Sequence, residues 1–358
     1  MTDTTPIAIY VRARTVHLER FADIGVRLIY RTRNYDFDPE LAERLSARQL
    51  GYLGTVRYLL KNAPTTVELN EPFQLNAWPS LFLSVTAIRV KDFFTRRRTE
   101  IVTYAIGNDD LVANVMAYTR LPRPLAAMLA KGAMRYLFGR YDRAAFGIPV
   151  AREIYRELCG RAFDRPETRL FGALAPRIPG EIPEERPQRL VFLGSLEERK
   201  GIAKLMEAWP AVGRPDARLV ILGKGPMADE VARWAEARDD VEFVLDPSRE
   251  KISATLLASS VLILFSQRTP RWREQIGLPI LEGLSHGCTV IASTETGVAD
   301  WLTEHGHVVL DAGASTQTLA SAIGRTLDAP QSVAEVLASL PEKDTRLIAS
   351  DWMFGAEI

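Results

Sequence analysis

Apolar residues recur along this chain in two alternating periods. Short, mainly apolar stretches at Ile7–Val11 and Val26–Tyr30 read as buried strands, and Thr66–Leu69 and Ile101–Ile106 read as further strands. Longer stretches with helical spacing lie between and after them: Glu40–Leu60 as one helix or a pair, then Leu81–Phe94, Pro124–Phe138 and Val150–Cys159. The alternation stops at Pro176–Pro187, a stretch holding Pro176, Pro179, Gly180, Pro183 and Pro187 that predicts a linker. Beyond it strands are predicted at Leu190–Leu193, Ala217–Leu222, Val241–Leu245, Val261–Phe265, Thr289–Ala292 and Val308–Leu310. Helices are predicted at about Ile202–Trp209, Met227–Ala237, Lys251–Ala258, Leu278–Ser285 and Thr316–Leu327, with a turn or short helix at Ala299–Leu302. Such alternation in both halves predicts an α/β chain of two doubly wound parallel-sheet domains, residues 1–180 and 188–342.

Length agrees with this division, since 358 residues make two domains of ~150–180 residues each. The formal net charge of zero argues against a dedicated nucleic-acid binder. The charge is unevenly placed: residues 1–180 carry 27 Lys+Arg against 18 Asp+Glu, and the remainder carries 18 against 27. Different partners for the two halves, or plain compositional drift, would each produce this. Cys159 and Cys288 are far apart and suggest neither a disulfide framework nor a zinc site. Met1–Pro6 is polar and Arg12 and Arg14 follow, so no signal peptide is predicted, and no apolar run is long enough to span a bilayer. A cytoplasmic protein is expected, either free or peripheral on the inner face of a membrane.

Ligands of open parallel sheets bind beyond the carboxyl ends of the strands, so residues just after each strand carry the chemistry. In the second half these are Gly194-Ser195 and then Arg199-Lys200-Gly201, Gly223-Lys224-Gly225, and a polar loop ending in Glu274. Glycines, basic side chains and helix starts together suit a diphosphate-bearing ligand. Neither a P-loop nor a G-x-G-x-x-G run is present. The most informative segment is Glu274–Gly287, EQIGLPILEGLSHG. Pro279 suits a first helical turn, which puts Glu274 in the loop before the helix and Glu282 in its first turns. Two carboxylates around an open helix start can grip hydroxyls while backbone N–H groups take a phosphate. On spacing alone the plainer reading, one solvated Glu and one favoured by the helix dipole, has the greater weight.

The second half resembles the donor domain of the family 4 retaining glycosyltransferases, which carry an E-x7-E signature. The segments that carry the resemblance are VFLGSLEERKGI (191–202), ARLVILGKGP (217–226), VEFV (241–244), EQIGLPILEGLSHGCTVIAST (274–294) and TGVADWL (296–302). TPRWREQIG (269–277) is similar to a subgroup found in bacterial cell-surface polysaccharide synthesis. The resemblance implies a GT-B fold, two Rossmann-like domains facing across a cleft, with a C-terminal helix (343–358) crossing back to the first. It implies that Lys200 binds the donor diphosphate, with Arg199 replacing the arginine often found where Ser195 stands. It further implies that Glu274 holds hydroxyls of the transferred sugar, and that Gly277 and Leu278 offer backbone N–H groups. Glu282 would bind the ribose. Gly194, Ser195, Gly223, Gly225 and Leu245, which ends the strand before the base-binding loop, complete the expected donor-binding set.

The first half is less similar to the family. Its first loop holds Arg12, Ala13 and Arg14 in place of a glycine pair, and Asn108, Asp109 and Asp110 follow the strand Ile101–Ile106 where many members carry a histidine. Asn108 and Asp109, with Glu71 after the strand Thr66–Leu69, are the acceptor-side candidates; a helix cap is an equal reading of Asn108–Asp110. The family's activity implies sugar transfer with retention of configuration from a UDP- or GDP-linked donor to a glycan or lipid-linked acceptor, without a metal or other cofactor. A sugar-nucleotide epimerase on the same architecture, or a non-catalytic sugar-nucleotide binder, are the alternatives. Arg89–Arg143 holds 11 basic and 5 acidic residues interleaved with apolar ones. That pattern suits either contact with an anionic membrane or a solvated helix face.

Overall fold

The computed structural model describes residues 4–34 and 36–355. It divides into two compact units, one running to Gly172 and resuming at Arg346, the other spanning Ala173–Thr345. The division therefore falls ahead of the expected linker, and Pro176–Pro187 lies in the second unit. Ile178 N–H donates to the Ser285 carbonyl at 3.1 Å, and the Arg186 guanidinium donates to the carbonyls of Ser259 and His286. Proline-rich chain tied down in this way acts as part of the domain.

Among the described residues the first unit holds a sheet of seven strands: β1 (Ile7–Ala13), β2 (Arg27–Arg33), β3 (Arg48–Gln49), β4 (Thr66–Leu69), β5 (Glu100–Ala105), β6 (Arg143–Phe146) and β7 (Glu167–Leu170). Their order is β3-β2-β1-β4-β5-β6-β7, with every ladder parallel. The second unit holds β8 (Arg189–Leu193), β9 (Arg218–Gly223), β10 (Val241–Leu245), β11 (Val261–Leu264), β12 (Thr289–Ser293) and β13 (Val308–Leu310). Its order, β10-β9-β8-β11-β12-β13, is again all parallel. Each unit is thus a doubly wound α/β domain whose strand order reverses once, between β1 and β4 in the first and between β8 and β11 in the second.

β11 and β12 are buried at every residue, because helices cover both faces of a parallel sheet. Helix starts are chemically marked: Pro149 and Pro279 stand in first turns, and Asp110, Ser248 and Ser315 side chains accept N–H groups of the turns they open. Expected elements that differ do so for local reasons. Glu40–Leu60 takes the paired form of its expected readings, with helices at Pro39–Arg44 and Tyr52–Lys61, and the difference is β3 between them, a two-residue exposed edge strand. Unforeseen β6 is Ala-rich, and β7 is a largely exposed edge strand, so neither has an apolar run. The helix Thr15–Asp23 buries only Leu18 and Phe21, too few to mark a period.

The C-terminal helix spans Thr345–Phe354, and residues 356–358 of the expected helix lie outside the described residues. From Arg346 onward it belongs to the first unit. Ala349, Trp352 and Met353 pack with Val102 and Ala145, and the Arg143 guanidinium donates to the Trp352 carbonyl at 2.6 Å.

Candidate functional site

In the second unit the loops leaving β8 and β11 diverge at the strand-order reversal. Gly194 and Ser195 follow β8, a single turn spans Glu198–Lys200, and Gly201 opens the helix Ile202–Ala208. A Cβ at Gly201 would overlap the Phe265 carbonyl oxygen, so glycine is what lets this helix start against the end of β11. Gln267 N–H donates to the Arg199 carbonyl at 2.8 Å, fastening the two loops together.

That close approach brings Lys200 onto Glu274. Lys200 Nζ donates to Glu274 Oε2 at 2.5 Å, and Ser266 Oγ donates to the same oxygen at 2.9 Å. The pair is largely shielded, with side-chain exposures of 13% and 10%. Trp272 flanks it, its ring centre 5.0 Å from Lys200 Nζ and 4.3 Å from the Arg199 guanidinium. Arg199 is itself engaged: its Nε donates to Glu197 Oε2 at 2.5 Å, and Ser195 Oγ donates to Glu197 Oε1. Those hydrogen bonds, from Arg199 first and Ser195 second, hold the Glu197 carboxyl below its ordinary range.

Glu274 lies in the loop ahead of the helix Leu278–Ser285, and Glu282 lies one turn inside it. The first turn of any helix has N–H groups without intrahelical partners, and they face the approach to this site with a positive potential. Burial pushes the Glu282 carboxyl above its ordinary range, with Arg249 pulling only weakly the other way. Its backbone carbonyl is held by the His286 ring at 2.7 Å, and that ring pairs with Ser253 Oγ at 2.9 Å.

The remaining donor-set candidates lie along the same edge. A Cβ at Gly223 would overlap the Gly194 carbonyl oxygen, and Gly225 is equally confined by the Leu196 backbone. These glycines draw the β8 and β9 loops together, and Leu196 N–H donates to the Lys224 carbonyl at 2.9 Å. Leu245 ends β10 and is exposed, next to a Lys224–Asp246 ion pair of 2.8 Å. Leu278 is exposed at the helix start.

The acceptor-side candidates are placed differently. Glu71 follows β4 but is buried, and its Oε2 accepts from Ile106 N–H, Gly107 N–H and Tyr155 Oη at 2.9–3.1 Å. Burial raises its pKa despite these bonds, and they make it a staple between the β4 and β5 loops. Asn108 is buried, and Asp110 caps the helix Leu111–Thr119 by accepting from Ala113 N–H at 2.9 Å. Asp109 stands between them in the same turn.

Sequence reasoning passed over Glu197, Ser266, Trp272 and, in the first unit, Glu68. Ser266 lies two residues past the end of β11, so the strand-end rule could have found it. Trp272 and Glu197 lie inside segments singled out for their neighbours. Glu68 is inside a strand, where a carboxylate gives no signal until its partners are known. Its Oε1 accepts from Tyr10 Oη at 2.7 Å and Arg346 at 2.6 Å, and Arg20 lies 3.4 Å away. Burial raises the Glu68 pKa, but the charges of Arg20 and Arg346 outweigh it and leave the carboxyl below its ordinary range. Burial also drives the neighbouring His17 down to about 3, leaving it neutral. No group of three or more His, Cys, Asp or Glu among the described residues is arranged to hold a metal ion.

Residues 177–339 match the family of glycosyl transferases group 1. No curated protein matches the sequence. Among solved structures, the chain is similar to the lipopolysaccharide outer core galactosyltransferase WaaB in its apo form, with 11% identity over 98% of this chain and 100% of that one and a TM-score of 0.67. Sucrose-phosphate synthase from Thermosynechococcus elongatus is 17% identical over 99% of this chain and 100% of that one, with a TM-score of 0.62. Anabaena HepE in complex with UDP-glucose is 12% identical over 96% of this chain and 94% of that one, with a TM-score of 0.61. The fold is GT-B.

Proposed function

We propose that this protein is a family 4 retaining glycosyltransferase that moves a sugar from a nucleotide-sugar donor to a glycan or lipid-linked acceptor in cell-surface polysaccharide or glycolipid synthesis. One observation carries the reading: Lys200 and Glu274 are paired at the second unit's strand-order reversal, beside the open first turn of the helix that bears Glu282. The match of residues 177–339 to group 1 glycosyl transferases supports it. UDP-glucose in the Anabaena structure makes a UDP-linked donor the first to test, with GDP-linked donors next.

The chain's residues divide the task by chemistry. Lys200 has three N–H donors and spends one on Glu274, so it can also hold a phosphate oxygen. Together with Arg199 and the N–H groups near Gly277 and Leu278, it stabilises charge that grows on the departing diphosphate. No metal is assigned to that role. Glu274, oriented by Lys200 and Ser266, accepts sugar hydroxyls, and Glu282 accepts ribose hydroxyls. Neither carboxylate is assigned as a nucleophile; the departing phosphate takes the acceptor hydroxyl's proton on the face it leaves. A lipid-linked acceptor would be met at an anionic membrane surface.

A thermal-shift panel of UDP-, GDP- and ADP-sugars tests the donor site. Stabilisation by one of them, reduced in Glu282→Ala and unchanged by EDTA, is expected. No stabilisation of the wild type by any of the three classes would overturn the reading.

A further inference from the structure

The helix Trp78–Thr95 ends in an unusual surface. Phe93 and Phe94 are 79% and 78% exposed, their rings edge to face at 5.4 Å. Arg96 takes a left-handed conformation (φ 53°) that ends the helix, and Arg97 and Arg98 follow before β5. A pocket at this end is lined by Arg89, Asp92, Arg96, Arg97, Arg98, Arg140, Asp142 and Arg165, with Gly139 and Tyr141. Six arginines there meet two aspartates. Both acids are occupied: Asp92 with Arg89 at 3.2 Å, and Asp142 with Arg89 at 2.8 Å and Arg98 at 2.5 Å. Among the described residues no acid pairs with Arg96, Arg97 or Arg165.

Cations at a helix C-terminus complement the helix dipole, which accounts for an arginine or two. It does not account for two adjacent phenylalanines in water. The apolar surface also continues along the same helix through Leu83 and Val90, 42% and 45% exposed. The neighbouring helix Arg123–Phe138, joined to it through Phe82 and Tyr136, exposes Leu125, Met128 and Leu129.

We propose that this end of the first unit is a docking site for an anionic phospholipid bilayer. Phe93 and Phe94 enter the headgroup–acyl boundary, while Arg96, Arg97 and Arg165 take lipid phosphates. Charge selects this occupant. A second copy of the chain would set one arginine cluster against another, and a free phosphate would leave the phenylalanines without a role. The pocket residues precede β5, β6 and β7, so the docked edge is the amino-terminal edge of the sheet. Glu71 and Asn108 lie at the opposite edge, after β4 and β5. The inference deepens the membrane part of the proposed function and needs it only for its purpose.

Co-sedimentation of the full chain with phosphatidylglycerol/phosphatidylcholine vesicles, and with phosphatidylcholine alone, tests it. Binding is expected to the anionic vesicles only and to be lost at high salt. Arg96→Asn with Arg97→Gln should weaken it on the order of thirtyfold at low salt, and Phe93→Ser with Phe94→Ser by at least tenfold. Both variants should keep the wild-type nucleotide-sugar thermal shift, which separates failure of docking from failure of the donor site. Absence of binding to anionic vesicles overturns the proposal, as does binding that survives either double substitution. Stabilisation by inorganic phosphate equal to that by vesicles would make the pocket a free-anion site instead. A wild-type dimer that dissociates in the phenylalanine variant would make the face a self-contact.

Discussion

The two units present the same place in the same fold, a strand-order reversal in a parallel sheet, and fill it in opposite ways. At the first, Glu68 of β4 is fully buried and its charge is met by Arg20 and Arg346, with Tyr10 donating to Oε1, while Glu68 Oε2 and Arg20 Nε have no hydrogen-bond partner among the described residues. Arg346 comes from the C-terminal helix, and its guanidinium also lies 3.9 Å over the Tyr104 ring, so the cluster ties that helix down. At the second, Lys200 and Glu274 are paired, but their neighbours are a glycine-lined loop, an exposed Leu278 and a helix start with N–H groups to spare. One reversal is closed and serves stability; the other is open and suits a ligand. Position in the fold nominates a site, and openness to a ligand decides whether it is one.

Removing the central carboxylate of the closed cluster should produce the largest effect. Glu68→Ala leaves Arg20 and Arg346 buried without a counter-charge, at a cost of roughly 3–5 kcal/mol. For a unit of this size that lowers its Tm by about 6–20 °C, readable by calorimetry. Nucleotide-sugar affinity should be unaltered in molecules that remain folded. A Tm drop under about 2 °C would mean that the closed cluster is not what holds the first unit's elements together. At the open site the corresponding change should act on affinity. Lys200→Ala removes a charged donor to phosphate, about 1.5–3 kcal/mol, which is roughly ten- to a hundredfold in donor Kd by titration calorimetry. An unchanged Kd would remove Lys200 from the diphosphate site.

How far each region could be read from sequence follows the same division. The second unit's elements were visible because β8, β11 and β12 are apolar runs, and Leu278–Ser285 is announced by Pro279. Most of its candidate residues follow strand ends, where local pattern locates them, and Glu282 lies inside the helix that Pro279 announces. What pattern could not supply is pairing across loops: that Lys200 rests on Glu274, or that Ser195 and Arg199 converge on Glu197. The first unit was harder because its charges act over long separations. Glu68, Tyr10 and Arg346 meet only when β1, β4 and the C-terminal helix are assembled, and nothing in the local spacing of one element foretells the other two. Glu71 illustrates the cost: after a strand and next to proline it reads as a site residue, whereas folding buries it under Gly107 and Tyr155.

Glu282 sharpens the contrast because it should trade stability for binding. Its folded pKa is raised by burial, so the native state favours the protonated form. Stability from this group is therefore present in full below the unfolded value, 4.5, and is lost as pH rises through the folded pKa. At neutral pH Glu282→Gln should raise the Tm of the ligand-free protein while weakening donor binding by about 1–2 kcal/mol, the worth of its hydroxyl bonds. Wild-type affinity should fall as pH is lowered toward the Glu282 pKa, and the glutamine variant should show no such fall. A glutamine variant that is less stable and binds as tightly as wild type would make Glu282 a structural carboxylate of the closed kind.

The smallest expected effect concerns Glu197, which partly closes the open site. Arg199 and Lys200 are matched in number by Glu197 and Glu274, so the cluster is formally neutral before a diphosphate arrives. The Arg199–Glu197 pair is about a third exposed on each side, so solvent screens it and its own worth is under about 1 kcal/mol. Glu197→Gln keeps an acceptor for Ser195 and Arg199 but removes the negative charge facing the incoming phosphate. Donor affinity should rise by about two- to fivefold at low ionic strength and return toward the wild-type value in high salt. If affinity falls instead, Glu197 is needed to aim Arg199 at the ligand, and the second unit's site is already as closed as binding allows.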